Sequence, residues 1–195
     1  MKSKVAGIAF IAGSLYYIIA EAVSATFFND TLFNTYVFHT ISELGVPNAN
    51  SPLFWLMNSA FFLIGLILIF SNFYKLRDLI VKNRMIFYVL TLITGIGVII
   101  VALIHGGNPI NFTYHASGAI MAMLGGNVML IAISRSMNDF GGYQKASLAL
   151  GCVGLAAFWI MFFDMQGIFM PVFERLAVYA LIIWCFMTGL FLVRS

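Results

Sequence analysis

Met85-Ile-Phe-Tyr-Val-Leu-Thr-Leu-Ile-Thr-Gly-Ile-Gly-Val-Ile-Ile-Val-Ala-Leu-Ile104 runs without a charged residue for about the length an α-helix needs to cross a bilayer. It shows no strict alternation of polar and apolar residues. A segment of this kind satisfies its backbone amides in hydrocarbon only as a helix, since an unpaired amide there costs several kcal/mol. Five more stretches read the same way, near 5–27, 52–73, 113–134, 145–165 and 174–193. The chain has 195 residues, 62% apolar and 9% charged, with a mean hydropathy of +1.00. That composition excludes a soluble globular domain and a membrane β-barrel. The expected fold is all-α: a polytopic protein of six transmembrane helices forming a single domain over 1–195.

The net charge of +3 at first suggests an acidic partner. The positions of the charges favour topology instead. With the amino terminus in the cytoplasm, Lys2, Lys4, Lys75, Arg77, Lys82, Arg84, Arg135, Lys145 and Arg194 all fall on one side, and of the 10 basic residues only Arg175 falls on the other. Both termini are therefore expected in the cytoplasm. A cleaved leader ending near Ala22–Ala25 is the competing reading of the first span; Glu21 within the apolar stretch speaks against it. Compact loops and the lack of a targeting segment point to a plasma membrane. Nothing in the sequence suggests nucleic-acid binding, a phosphate-binding glycine loop or a Ser-His-Asp triad. Cys152 and Cys185 lie in spans and read as small buried hydrophobes.

Once topology accounts for the basic residues, the remaining ionisable groups gather outward. Of seven carboxylates only Asp78 and Asp139 are expected in the cytoplasm; Glu21, Asp30, Glu43, Asp164 and Glu174 lie outward with His39, His105, His115 and Arg175. His39, Ser42 and Glu43 stand at i, i+3 and i+4, so a short helix in the long first outer loop would present all three on one face. His105 and His115 flank a Gly/Asn/Pro turn. Glu174 and Arg175 open the last span, where a helix amino terminus favours a carboxylate. Glu21 sits roughly 24 Å along the first span, deep enough that its insertion is costly, with Tyr17 and Ser24 on its face. In the fourth span Gly118, Ala122 and Gly126 form a small-residue stripe suited to close helix packing.

The candidate ligand-binding set is thus Glu21, His39, Ser42, Glu43, His105, His115, Glu174 and Arg175. Three imidazoles beside carboxylates are the donors a zinc site uses, with His39, His105 and His115 as ligands and Glu43 or Glu174 as base. A haem between His105 and His115 is a further, less favoured option. No HExxH or Cys-x-x-Cys spacing accompanies them, and each histidine taken singly also reads as a hydrogen-bonded interfacial residue.

His39-Thr-Ile-Ser-Glu-Leu-Gly45, Asn50-Ser-Pro-Leu-Phe-Trp-Leu-Met-Asn58, His105, His115-x-x-Gly118 and Glu174-Arg175 together resemble the DUF998 family of integral membrane proteins. The resemblance covers nearly the whole chain and implies six helices with an outer polar cluster. It implies no reaction.

Three functions fit these residues. The favoured one is a protein that binds or moves a lipid or small amphiphile through an outward polar pocket, with membrane lipids as partners and Arg175 as the anion contact. The second is a metal-dependent intramembrane hydrolase of a lipid ester or amide, which requires the three imidazoles to converge. The third is a structural or regulatory subunit that uses the small-residue face of the fourth span to join a second copy or a partner membrane subunit.

Overall fold

A computed structural model describes residues 2–48, 50–107, 109–137 and 141–194; Asp139, expected among the cytoplasmic charges, lies outside them. The described chain is all-helical apart from one isolated bridge between Ile80 and Met137. Its helices are α1 (Lys2–Thr26), α2 (Leu32–Phe38), α3 (Phe54–Tyr74), α4 (Arg84–Leu103), α5 (Pro109–Ser136), α6 (Gly142–Phe163) and α7 (Met170–Arg194), with 3-10 turns at Ser42–Gly45 and Leu76–Leu79. Six of these helices, all but α2, are long and apolar enough to span a membrane.

The spans pack in chain order, α1 on α3, α3 on α4, α4 on α5, α5 on α6 and α6 on α7, and α7 returns to pack on α1. The result is a closed ring. Glycine brings backbones together at several of its seams: a methyl group at Gly7 would lie 2.8 Å from the Gly189 carbonyl oxygen, and one at Gly97 would lie 2.6 Å from the Ala122 nitrogen. Backbones that approach this closely gain dispersion contacts, the main attraction between helices in lipid. The Gly118–Ala122–Gly126 stripe is spent on this packing: Gly118 and Ala122 meet Gly97 and Ile100 of α4, and Gly126 meets Thr94 and Leu181. The stripe faces neighbours within the chain.

Polar side chains tie the interior at several levels. Asn127 donates to the Met123 and Ala177 carbonyls and so links α5 to α7; Trp184 donates to Ser147 at 3.1 Å, and Tyr143 pairs with Thr188 at 2.9 Å. The outer surface of the ring is apolar, with Ile8, Ile19, Phe70, Ile96 and Ile183 exposed. Cys185 is buried, but Cys152 faces outward from α6 and is not the buried hydrophobe expected.

The short helix of the first connection also differs from expectation. It occupies Leu32–Phe38, where Thr31 caps Asn34, and it ends at His39 in an extended conformation. Ser42 and Glu43 belong to the 3-10 turn that follows, so His39, Ser42 and Glu43 do not share a helix face. This segment folds over one end of the ring as a strap. Two span starts shift as well: Pro109 begins α5, a position where its missing N–H is not needed, and Met170 begins α7.

Candidate functional site

The strap is held by a buried charge cluster. Glu21 on α1 is 1% exposed, and Arg175 on α7 is 5% exposed. Arg175 Nε donates to Glu21 Oε1 at 3.1 Å, and the Tyr179 hydroxyl donates to Glu21 Oε2 at 2.9 Å. Arg175 and Tyr179 are one turn apart on α7, which is why one face of that helix satisfies both oxygens. The remaining guanidinium donors reach the carbonyls of Thr35, His39 and Pro171, and the group lies 5.0 Å from the Tyr36 ring centroid. Arg175 therefore caps the carboxyl end of α2, where a cation is favoured. With its donors turned onto the protein, it serves as the strap's anchor and not as the anion contact expected.

Glu174 points elsewhere. Adjacent helical residues diverge by about 100° around the axis, so Glu174 does not share the Arg175 partner set. Since α7 starts at Met170, Glu174 also lies beyond the first turn. Its Oε2 accepts the Ile41 N–H at 2.8 Å, which pins the strap a second time.

A second, more exposed cluster lies on the strap. Asp30 Oδ2 and Glu43 Oε2 flank the His39 ring, at 3.2 Å from Nε2 and 2.7 Å from Nδ1. Glu43 Oε1 accepts from the Thr40 hydroxyl at 3.2 Å, and that hydroxyl also meets Ser42 Oγ at 3.2 Å. Partial burial pulls the His39 pKa down, but hydrogen bonds and charge from Glu43 and Asp30 outweigh it, and the net value is raised. Hydrogen bonds from Asn34 and the Thr31 backbone hold Asp30 below its ordinary range. Tyr36 is shifted up by burial and by Glu21.

His105 and His115 belong to neither cluster. Asn58 Nδ2 donates to His105 Nε2 at 2.9 Å and to the Gly45 carbonyl at 2.7 Å, which ties α3 to the strap and to the end of α4. His115 Nδ1 donates to the Ile104 carbonyl at 2.6 Å, and its ring lies against Gly106. The three histidines thus have three separate sets of partners. Among the described residues no three of His, Cys, Asp and Glu are placed to hold a metal ion. The convergence that a zinc site on His39, His105 and His115 requires is not met, and the His105 nitrogen facing α3, which an axial haem ligand would need, is already bonded to Asn58.

Two adjoining cavities lie beneath and beside the strap. The inner one is narrow, with an empty volume of about 550 Å³ including its mouth, and sits on the ring axis. Phe61 and Ile64 of α3, Val98 of α4, Ala122 of α5 and Leu181 of α7 wall it, Tyr17 and Glu174 are its polar walls within the spans, and Ile41 and Ser42 roof it. The outer one, about 1160 Å³ including its mouth, opens between α5 and the α6–α7 corner. Its rim carries Thr40, Glu43, Asn48 and His115, and Met123, Met161, Met165 and Met170 line its body. Ser42, Ala119, Met123 and Glu174 are walls of both. Of the eight candidate residues, the cavities gather Ser42, Glu43, His115 and Glu174; Glu21, His39 and Arg175 hold the strap, and His105 braces it. Tyr179 and the carbonyls of Thr35 and His39 complete the anchor, and the sequence did not single them out.

No family model matches the chain, and no curated protein or solved structure matches it.

Proposed function

We propose that this protein binds, or moves, a lipid or small amphiphile from the outer leaflet of a plasma membrane, with both termini in the cytoplasm and the strap end of the ring facing outward. The observation that supports this reading is the pair of adjoining cavities: a methionine-walled lateral opening with a polar rim shares four wall residues with an interior chamber that has few polar groups. Sites for apolar molecules commonly have this composition, with concave hydrophobic walls and a few placed polar atoms. Methionine adapts its shape to a flexible chain. The charge pattern that places nine basic residues on one side supports the orientation. The kinship with DUF998 belongs to the same proposal. The hydrolase alternative has no convergent ligand set among the described residues, and the subunit alternative finds its small-residue face occupied by α4 and α7.

Ala119, a wall of both cavities, provides the test. Native mass spectrometry of protein released from nanodiscs counts retained lipid. The expected result is bound lipid on the wild type and its loss in Ala119→Trp, with the thermal unfolding midpoint retained. A wild type that retains no lipid and binds no added amphiphile defeats the proposal.

A further inference from the structure

We infer that the inner cavity takes the ammonium head of a long-chain primary amine, with its chain lying in the methionine-walled outer cavity; this rests on the amphiphile reading above and names the ligand class. Charge balance is the first support. Two carboxylates, Glu21 and Glu174, are buried within the spans against one guanidinium, and Arg175 is turned towards Glu21. Glu174 keeps one oxygen for Ile41, and among the described residues no Lys or Arg lines either cavity. A buried carboxylate without a cation is costly, and a cationic head entering the cavity would relieve that cost.

The second support is independent of Glu174. Tyr17 is 1% exposed, and its hydroxyl has no hydrogen-bond partner among the described residues, although the ring lines the same chamber as Glu174. Buried polar atoms are ordinarily paired, and one that is not, beside a cavity, marks a place for a ligand's donor or acceptor. An ammonium has three N–H donors and no acceptor. Glu174, Tyr17 and Ser42 are the described lining residues whose side chains carry an acceptor for it. An alcohol head has a single donor and no charge, and a carboxylate head would meet Glu174 with like charge.

The test compares hexadecylamine, hexadecanol and hexadecanoate binding to the full chain in zwitterionic nanodiscs. The expected order is amine over alcohol by about tenfold or more, the effect of a charge-assisted hydrogen bond in a buried site, with the fatty acid weakest. Glu174→Gln, whose amide oxygen still accepts from Ile41, is expected to remove the amine preference while alcohol binding persists. Tyr17→Phe, which deletes only the unpartnered hydroxyl, is expected to weaken the amine several-fold and to leave folding intact. Equal amine and alcohol binding by the wild type, or an undiminished preference in both variants, overturns the amine assignment and leaves the amphiphile reading standing. Binding of none of the three probes overturns the amine assignment, and defeats both readings when the wild type also retains no lipid.

Discussion

Arg175 and Glu21, 154 residues apart in the chain, meet at 3.1 Å with their side chains 6% and 1% exposed, and join the last span to the first. The same guanidinium reaches the Thr35 and His39 carbonyls, so one side chain closes the ring and fastens the strap over it.

Arg175→Met is therefore expected to destabilise the fold by about 3–5 kcal/mol, because it leaves Glu21 buried without its partner. The thermal midpoint in nanodiscs reads this directly. The Glu21→Gln/Arg175→Met double variant removes the stranded charge and is expected to recover most of the loss. A single variant within about 1 kcal/mol of wild type would show that the pair contributes little to stability.

The strap's outer cluster makes stability depend on pH. The His39 pKa is raised above its ordinary 6.5, so its contribution is fully present below pH 6.5 and is lost as pH rises through the folded value. Asp30 is held below its ordinary 3.8, so its contribution is present above that pH and is lost as pH falls through the folded value. Strap protection, followed by hydrogen exchange at residues 30–46, is expected to be greatest between these two transitions. His39→Gln should abolish the decline on the alkaline side; a decline that survives the substitution assigns it to another group.

Gly97→Ala is expected to cost about 1–3 kcal/mol, because the added methyl meets the α5 backbone and not a side chain that can turn aside. Gly142→Ala has open space around it and should change stability by less than about 0.5 kcal/mol. Equal costs at the two positions would mean that the α4–α5 seam yields more readily than its backbone contact implies.

Orientation is open to labelling. In a Cys152→Ser/Cys185→Ser background, Lys82→Cys and Asn48→Cys place thiols at exposed positions on opposite ends of the ring. Membrane-impermeant maleimide added to intact cells is expected to label position 48 alone. Labelling of position 82 alone would invert the proposed topology.

The spans were legible in the sequence because lipid imposes one rule on backbone amides, and runs such as 85–104 obey it whatever they pack against. Span starts were less so. Glu174 and Arg175 looked like a helix start because charge resumes there, whereas the apolar turn ahead of them already belongs to α7. That Glu21 and Arg175 belong to one outer polar set could be anticipated from the cost of burying charge, but the other partners of Arg175 could not: the Thr35, His39 and Pro171 carbonyls have no sequence signature, since every residue carries one. Three histidines at one membrane level looked like a ligand set, yet level fixes only one coordinate. Their separate places around the end of the ring sent His39 to two carboxylates, His105 to Asn58 and His115 to a backbone oxygen.

The closure of α7 on α1 has a consequence for the order of events at synthesis. Glu21 leaves the ribosome 154 residues ahead of the guanidinium that neutralises it. During that interval the first span carries a carboxylate with no partner, and the seam that Gly7 forms with Gly189 does not exist. The native ring is thus sealed from its end: a nascent chain halted before the last helix lacks both the α1–α7 seam and the cation that meets Glu21.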